Sequence, residues 1–491
     1  MNKSSIKKNY FFNLMYEILA IIIPFFTTPY VSRVFGAAGV GDYNYINGIV
    51  SYFGLIAATG TATFGNREIA VVQNSKEKRS ELFFELFFFR LICTILALVP
   101  YLVLILISNN NYKVLYLINL LMFVSWITDV SWFCRGMENF AVTALRNSIV
   151  KILGAVLIFV LVHDSSDLWK YTLIYSGTMV LGNITMWPYV LKQVEWPGFK
   201  RIHVFKNTRY IMQLFIPVIA VQIYTVLDRT MLGTLDNTVE VGYYSQAHRI
   251  IELAMTLINS FISVLLPRIA LLYAEKSFKQ LNDLLNKTIR YISLLGVPML
   301  VGCWLLIDQF VPIFFGPGYE PTGRIIKILS CMFIVLNFGR LFGTLLVAVN
   351  QQNRYTFVTI VAASLNFVFN GLFIVVFKLG AIGVAIASVI SELSATLLQM
   401  WYVRKFLRIG ELLESIVAYI IPAIIMGVSV FCTGLFISSD GITSLLVKAS
   451  VGVAVYFSIL LICKDAFVKS IIISVVSHIG NIMVQLSRQK S

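Results

Sequence analysis

Ionisable side chains lie inside the long apolar stretches of this sequence. Eleven residues do so: Glu17, Arg90, Asp129, Arg146, Lys151, Asp228, Arg229, Arg249, Glu252, Arg340 and Glu392. A charge near the middle of a membrane costs roughly 3 kcal/mol on insertion scales unless it is paired or hydrated. So many charges in apolar stretches indicate an interior that holds water.

The arginines of this set suit an anionic ligand, because a guanidinium stays charged in a medium of low dielectric and its planar fork matches phosphate or carboxylate. We predict that Arg90, Arg146, Arg229, Arg249 and Arg340 line a substrate cavity. The acidic residues would orient them or carry a coupling cation, namely Glu17, Asp129, Asp228, Glu252 and Glu392. The alternative is that these charges form ion pairs and interhelical hydrogen bonds of structural role only. Arg249 and Glu252, three positions apart on one helix face, could neutralise each other.

Polar and small residues recur at helical spacing beside these charges. Four sets do so: Asn139, Thr143, Arg146 and Asn147; Gln213, Pro217, Tyr224 and Asp228; Thr356, Thr359, Ala363, Asn366 and Asn370; and Ser388, Glu392, Ala395 and Gln399. Residues three and four positions apart share one face of a helix. Several helices are therefore expected to turn a polar face toward one shared space.

The elements that position these residues are membrane-spanning helices. The 491 residues are 58% hydrophobic and 13% charged, with a mean hydropathy of +0.82, which excludes a water-soluble domain. Runs of about twenty apolar residues can each cross a hydrocarbon core of roughly 30 Å as a helix. The predicted fold class is an all-α integral membrane protein of about fourteen helices, at 9–32, 41–63, 81–107, 113–134, 140–162, 168–191, 209–234, 241–271, 288–315, 321–349, 354–377, 380–403, 412–436 and 442–463. An amphipathic interfacial tail is predicted at 464–491.

The lysines and arginines between the predicted spans are distributed unevenly between the two sides of the membrane. Alternate connections hold 26 lysines and arginines on one side and 7 on the other. The positive-inside rule then places both termini in the cytoplasm. The net charge of +15 follows from this bias, and the basic residues form no face with interleaved aromatics of the kind that binds nucleic acid.

The sequence offers little for metal, cofactor or catalytic chemistry. The six cysteines and four histidines are scattered singly, which favours neither a disulfide framework nor a metal site. The outer connections are short, so no extramembrane domain is expected to house a catalytic site. A Gly-rich phosphate loop is missing from the inner connections, so we expect no nucleotide cofactor.

The two halves of the chain resemble each other at a constant offset. Val40-Gly41-Asp42-Tyr43 matches Val241-Gly242-Tyr243-Tyr244, and Arg67 matches Arg268, each 201 residues apart. Six helices separate the copies, which predicts parallel repeats about an axis along the membrane normal. The predicted organisation is a six-helix lobe at 1–191, a second at 209–403, two further helices at 412–463 and the tail at 464–491.

The opening of the chain resembles the O-antigen and capsular polysaccharide repeat-unit flippases of the multidrug/oligosaccharidyl-lipid/polysaccharide exporter superfamily. The resemblance lies in residues 27–36, in Gly41-Asp42-Tyr43 and in residues 64–70. The positions that match the family pattern are Pro29, Arg33, Gly36, Gly41, Arg67 and Glu68, and none carries a catalytic role because a flippase has none. Related lipid II flippases use arginines in a cationic central cavity, for which Arg249 and Arg90 are counterparts by position.

The resemblance implies a transporter rather than an enzyme. It implies two six-helix lobes around a central cavity, and alternating access for an undecaprenyl-diphosphate-linked oligosaccharide in the bacterial cytoplasmic membrane. A polysaccharide polymerase and a chain-length machinery are its implied candidate partners. Three alternatives remain: a multidrug cation antiporter of the same superfamily, a membrane polysaccharide polymerase or acyltransferase, and a purely structural membrane protein.

Overall fold

The protein is helical wherever its structure is described. The computed structural model describes residues 3–108, 110–263, 265–407, 409–437, 441–465 and 467–469, and these contain nineteen α-helices and no strand. The all-α fold class is confirmed. The predicted amphipathic tail falls almost entirely on residues outside this part of the chain.

The first ten helices run from the start of the chain to the middle of the sequence. They are α1 (Lys3–Ala58), α2 (Thr61–Val72), α3 (Lys76–Ile107), α4 (Asn110–Ile118), α5 (Leu120–Thr128), α6 (Ser131–Gly136), α7 (Phe140–Leu161), α8 (Leu168–Ile184), α9 (Trp187–Gln193) and α10 (Thr208–Leu235). Short 3₁₀ turns occur at Ser165–Asp167 and Phe199–Arg201.

The remaining nine helices complete the described chain. They are α11 (Thr238–Ser263), α12 (Leu265–Ala274), α13 (Phe278–Phe315), α14 (Glu320–Leu329), α15 (Met332–Ala348), α16 (Gln352–Gly371), α17 (Gly380–Val403), α18 (Ile409–Phe436) and α19 (Ile442–Ile462). A π-helical turn at Leu372–Val376 follows α16, and a 3₁₀ turn at Arg404–Phe406 follows α17.

The first two predicted helices are joined differently from the expectation. The prolines Pro24 and Pro29 lie inside α1, and the helix departs from helical geometry only at Gly36, where φ is 63° and ψ is −175°. A positive φ is accessible to glycine without the steric penalty that a Cβ brings. The predicted connection at 33–40 is therefore helical on both sides of a single glycine kink.

Several predicted spans are interrupted helices. The span predicted at 113–134 is α4, α5 and α6, and the span predicted at 321–349 is α14 and α15, bent by 41°. At the second break of the former, Asp129 leaves the helix with ψ 104° and its Oδ1 accepts the backbone N–H of Ser131 at 3.0 Å. An aspartate side chain that satisfies a free N–H at the start of a helix favours such a break.

Apolar helices confirm a multi-pass membrane protein. Within the described residues, nine helices are long and apolar enough to cross a membrane, or ten when the bent pair α14 and α15 is one span. The fourteen-span count and the orientation of the termini stay predictions.

The chain forms two compact units. The first comprises Met1–Ser245, Phe315–Tyr319 and Phe367–Val384, and the second comprises Gln246–Phe314, Glu320–Asn366 and Ala385–Ser491. In the first unit α1 packs against α3, α7 and α10, and in the second α12 packs against α15 and α18 against α19. The first unit thus includes short pieces that the sequence assigns to the second lobe, and the division into lobes stays a prediction.

Candidate functional site

Arg90 and Asp129 form an ion pair in the first unit, in which the Arg90 side chain is buried and the Asp129 side chain is 25% exposed. Arg90 lies on α3, and Asp129 lies at the break between α5 and α6. Nη2 of Arg90 donates to Oδ2 of Asp129 at 3.1 Å, and Nη1 donates to the Asp129 backbone carbonyl, also at 3.1 Å. The Arg90 side chain is 5% exposed. Each charge therefore has its countercharge inside the protein.

Arg146 on α7 belongs to a second polar cluster of the same unit. Its guanidinium donates to Oδ1 of Asn147 and to Oδ1 of Asn183. Asn183 on α8 donates in turn to the backbone carbonyl of Ser125 at 2.7 Å and to its Oγ at 2.9 Å. Arg146 is thus tied through one asparagine to a third helix, α5.

Asp228 on α10 is buried among neutral hydrogen-bond donors. The Tyr244 hydroxyl of α11 donates to its Oδ2, and Nδ2 of Asn370 of α16 donates to its Oδ1 at 2.8 Å. All three residues lie in the first unit. Among the acidic residues predicted for the site, Asp228 is the one that joins helices from both halves of the sequence.

The charged residues of the second unit are more open. Arg340 on α15 is exposed and lies within electrostatic range of Glu392 on α17 and Glu252 on α11. Glu252 also lies beside His248, with Oε2 at 3.6 Å from Nδ1. This group therefore contains one arginine, from α15, and two carboxylates, from α11 and α17.

Two predicted site arginines form no hydrogen bond or ion pair with a described residue. Arg249 on α11 is exposed and Arg229 on α10 is half-buried, and neither forms a hydrogen bond or ion pair within the described part of the chain. Glu252, for which neutralisation of Arg249 is an open alternative, lies beside His248. The side chain of Glu17 lies outside what the structure describes.

The residues of the family pattern lie apart from these charges. Arg67 pairs with its neighbour Glu68 at 2.7 Å on the exposed helix α2, and Arg33 is exposed on α1. Gly36 forms the kink of α1, and Gly41 lies at a helix crossing without space for a side chain. Gly36 and Gly41 thus affect the path of the backbone, and Arg33 and Arg67 are exposed, so these positions are not members of the polar clusters described above.

Sequence patterns missed two features of the site. His248 was interpreted as an isolated surface residue, yet it lies one helical turn before Glu252 on α11. Tyr244, an aromatic residue in an apolar span, gives its hydroxyl to Asp228. The i, i+4 spacing of His248 and Glu252 is a signal that the sequence does contain.

Metal binding has no support in the described residues. No group of three or more His, Cys, Asp or Glu side chains within the described ranges is close enough to hold a metal ion. Each unit by itself carries arginines and carboxylates that can bind an anion or a hydrated polar group through charge-assisted hydrogen bonds.

Together, the long apolar helices and the charged groups packed among them are typical of a multi-pass membrane protein. The model of one family, described as "Polysaccharide biosynthesis protein", matches residues 6–272, and a second model, MatE, matches residues 214–372. Because the first match covers more than half of the chain, the chain belongs to the polysaccharide biosynthesis protein family.

Relatives of this chain carry transport names. A protein of Escherichia coli K12 named an O-antigen transporter is 22% identical over 410 residues, which cover 82% of this chain and 98% of that protein. A protein of Haloferax volcanii named a low-salt glycan biosynthesis flippase is 23% identical over 303 residues, which cover 61% of this chain and 63% of that protein. Both names describe transport rather than enzymatic catalysis, and the family resemblance drawn from the opening residues of this chain is confirmed.

Solved structures share the fold. The inward closed form of the lipid II flippase MurJ has a TM-score of 0.74 at 20% identity, over 94% of this chain and 100% of that one. An inward-facing multidrug resistance transporter of the MATE family has a TM-score of 0.63 at 15% identity, over 80% of this chain and 96% of that one. The chain therefore shares the fold of these two proteins.

Proposed function

We propose that the protein is a flippase for an undecaprenyl-diphosphate-linked oligosaccharide repeat unit, in the synthesis of O-antigen, capsule or exopolysaccharide. It moves the unit from the inner to the outer leaflet of the bacterial cytoplasmic membrane by alternating access, with both of its termini in the cytoplasm. The names of the relatives and the family match support this substrate class.

The observation that carries the proposal is the difference in pairing among the arginines that the sequence assigns to apolar spans. Arg90 and Arg146 are held by protein partners, whereas Arg249 is exposed and makes no hydrogen bond or ion pair with another described residue. Arg340 is also exposed and lies within electrostatic range of the carboxylates of Glu252 and Glu392. An exposed guanidinium without a partner is costly against hydrocarbon. Arg249 and Arg340 therefore face water in this proposal, where they bind the diphosphate.

The chemistry of the substrate fits a water-filled route. A diphosphate that bears several sugars cannot enter hydrocarbon. Transfer of one polar group from water without a hydrogen-bond partner costs about 2 to 7 kcal/mol, depending on the reference state. Its polyprenyl tail, by contrast, remains in lipid if the cavity opens sideways. Arginines that meet the diphosphate by two parallel hydrogen bonds compensate its lost hydration.

The carboxylates near Arg340 have a different role in the proposal. Glu252 and Glu392 orient the guanidinium when the site is empty, or hold a coupling cation with Glu17, Asp129 and Asp228 as further candidates. Since a carboxylate beside a bound diphosphate repels it, these groups also favour release once the cavity has opened outward. The polymerase and chain-length machinery would receive the released unit.

Deletion of the gene tests the substrate directly. We expect lipid-linked repeat units to accumulate on the cytoplasmic face of the membrane, where added glycan-modifying enzymes cannot reach them in intact cells. Complementation with the wild-type gene is the positive control. Normal surface polysaccharide in the deletion strain, with no accumulated intermediate, would exclude the proposal.

The antiporter alternative predicts another result in the same strains. Such a protein exports amphipathic cations, so its deletion would raise sensitivity to cationic dyes and leave the surface polysaccharide unchanged. The MatE model covers residues 214–372 of this chain, fewer than the polysaccharide model covers. Unchanged dye sensitivity together with lost polysaccharide is the outcome expected here.

A further inference from the structure

Exposed aromatic and basic side chains share one short segment of the first unit, between α9 and α10. Trp196 is 50% exposed, Phe199 is 77% exposed and Phe205 is 65% exposed. Lys192, Lys200 and Lys206 are exposed among them, and none of the three lysines forms an ion pair within the described residues. We call these six residues the linker surface.

The linker surface is held in place by contacts to α3. The Trp196 ring packs against the rings of Phe84, at 4.8 Å between centroids, and Phe199, at 4.9 Å. The backbone N–H of Glu195 donates to Oγ of Ser80 at 2.9 Å. The surface is therefore preformed, and its aromatic rings stay exposed although the chain that bears them is fixed.

Arg79 secures the beginning of the same segment. Its Nε donates to the backbone carbonyl of Gln193 at 3.0 Å, and its Nη2 donates to the same oxygen at 2.6 Å. Arg79 itself is buried, with 7% of the residue exposed. A buried guanidinium that binds a loop carbonyl twice leaves that loop little freedom to fold its aromatic rings inward.

The nearby acidic groups are already engaged by other residues. Glu195 pairs with Lys76 at 2.5 Å, and Glu77 pairs with Arg201. Glu85 accepts the backbone N–H of His203 and an amide N–H of Asn207, each at 3.2 Å. Glu85 also lies within electrostatic range of Lys206. The charges of Lys192 and Lys200 are thus left for a partner outside the chain.

We propose that the linker surface lies in the membrane interface and binds the headgroups of anionic phospholipids. Tryptophan and other aromatic side chains prefer the level of the headgroups, and clusters of basic residues beside them attract anionic lipid. The segment joins spans on the side that the positive-inside rule assigns to the cytoplasm. A partner that meets both ring faces and lysines is a lipid surface rather than a soluble anion, which needs no exposed rings.

Quenching of tryptophan fluorescence by brominated lipid tests the proposal. The full chain is placed in nanodiscs of equal parts phosphatidylglycerol and phosphatidylcholine, with bromine in the upper acyl chain of one lipid or the other. The signal of Trp196 is the difference between wild type and W196F. We expect brominated phosphatidylglycerol to quench this signal at least about twofold more than brominated phosphatidylcholine. The excess should decline in high salt, because the attraction is screened.

Lysine variants separate a local site from total charge. K192Q/K200Q/K206Q should remove the preference for phosphatidylglycerol while Trp196 is still quenched. K276Q/K279Q/K287Q removes the same charge from exposed lysines beside α12 and α13 and should leave the preference intact. Equal quenching by both lipids in the wild type would overturn the anionic preference. No quenching of Trp196 by either lipid would overturn the interfacial placement and favour a soluble partner.

Discussion

Helices α1 and α11 cross at Gly41 and Gly242, and neither position has space for a side chain. A Cβ on Gly41 would lie 1.7 Å from the carbonyl oxygen of Thr238, and a Cβ on Gly242 would lie 2.0 Å from that of Ala37. The contact is reciprocal, because Thr238 and Gly242 each follow their counterparts by 201 residues. This is the offset of the sequence repeat, and a reciprocal contact is what two copies about a two-fold axis would make.

The first prediction concerns this crossing. G41A places a methyl group against a backbone carbonyl, which cannot move away as a flexible side chain can, so we expect overpacking to cost about 1 to 3 kcal/mol. The measurement is thermal unfolding of the purified protein in detergent, followed by loss of the monodisperse peak. G242A should behave alike, because its Cβ meets the carbonyl of Ala37.

A matched helical glycine provides the control for that experiment. Gly177 lies inside α8, and a Cβ built there meets nothing within 4 Å. Since glycine in a helix interior is about 0.5 to 1 kcal/mol less favourable than alanine, G177A should unfold at or above the wild-type temperature. If G41A unfolded with G177A rather than below it, the close crossing would be refuted.

The second prediction concerns the exposed arginine of α11. R249A should fold normally, since Arg249 has no hydrogen bond or ion pair among the described residues. Loss of one charge-assisted contact to the diphosphate removes about 1.5 to 3 kcal/mol, which corresponds to a roughly ten- to hundredfold loss of transport. Flipping of the lipid-linked glycan in proteoliposomes is the measurement. R249K keeps the positive charge but not the planar guanidinium, so its transport rate should lie between those of the wild type and R249A.

The third prediction concerns Arg90 on α3, which, unlike Arg249, is paired with a carboxylate. R90A leaves the Asp129 carboxylate, which is 25% exposed, without its cation. Loss of one partner destabilises a fully buried pair by about 3 to 5 kcal/mol, so a smaller cost is expected here. We expect low yield and a lowered unfolding temperature rather than a folded but inactive transporter. The double variant R90A/D129A should recover part of the stability, because no uncompensated charge remains. Wild-type unfolding of R90A, with transport abolished, would instead place Arg90 at the substrate.

These two arginines also show what sequence patterns can and cannot predict. Periodicity and hydropathy assign both Arg90 and Arg249 to apolar spans, and so predict charges at membrane depth. They do not reveal that Asp129, 39 positions further along the chain, turns its backbone and side chain toward Arg90. That pairing depends on the break between α5 and α6, which a single aspartate in an otherwise apolar run produces. The kink of α1 likewise depends on a single residue, because the backbone leaves helical geometry at Gly36 and not at Pro24 or Pro29.

The fourth prediction concerns pH and a loop between α7 and α8. The Lys170 ammonium, with Nζ 2.7 Å from Asp167, and the backbone N–H of His163, 2.9 Å from it, lower the pKa of the Asp167 carboxyl to about 2. A lowered pKa in the folded state means that the ionised carboxylate stabilises the fold above its unfolded pKa of about 3.9. That stabilisation declines as the pH falls from about 4 toward 2.

D167N measures this contribution. The gap in unfolding temperature between wild type and D167N should be constant from neutral pH to about pH 5 and should narrow below pH 4. D283N, at an exposed aspartate of α13, is the control for a change of one charge. A gap that widened on acidification would show that the Asp167 carboxylate is not the stabilising form.

The last prediction concerns the driving force. The proposed substrate carries its own negative charges. When the cell interior is negative, outward movement of each uncompensated negative charge is favoured by about 2.3 kcal/mol per 100 mV. Transport in proteoliposomes should therefore accelerate when a potassium gradient with valinomycin makes the side of substrate entry negative.

Two controls make that outcome specific. A potential of reversed sign should slow the same movement, which a general effect of valinomycin on the bilayer would not do. R249A should reduce the rate at every potential, because it acts on binding rather than on the field. Equal rates at zero and imposed potential would mean that the bound arginines, or a coupled cation, neutralise the diphosphate throughout transport. Glu252 and Glu392 beside Arg340 would then be the first residues to test for cation coupling, by E252Q and E392Q.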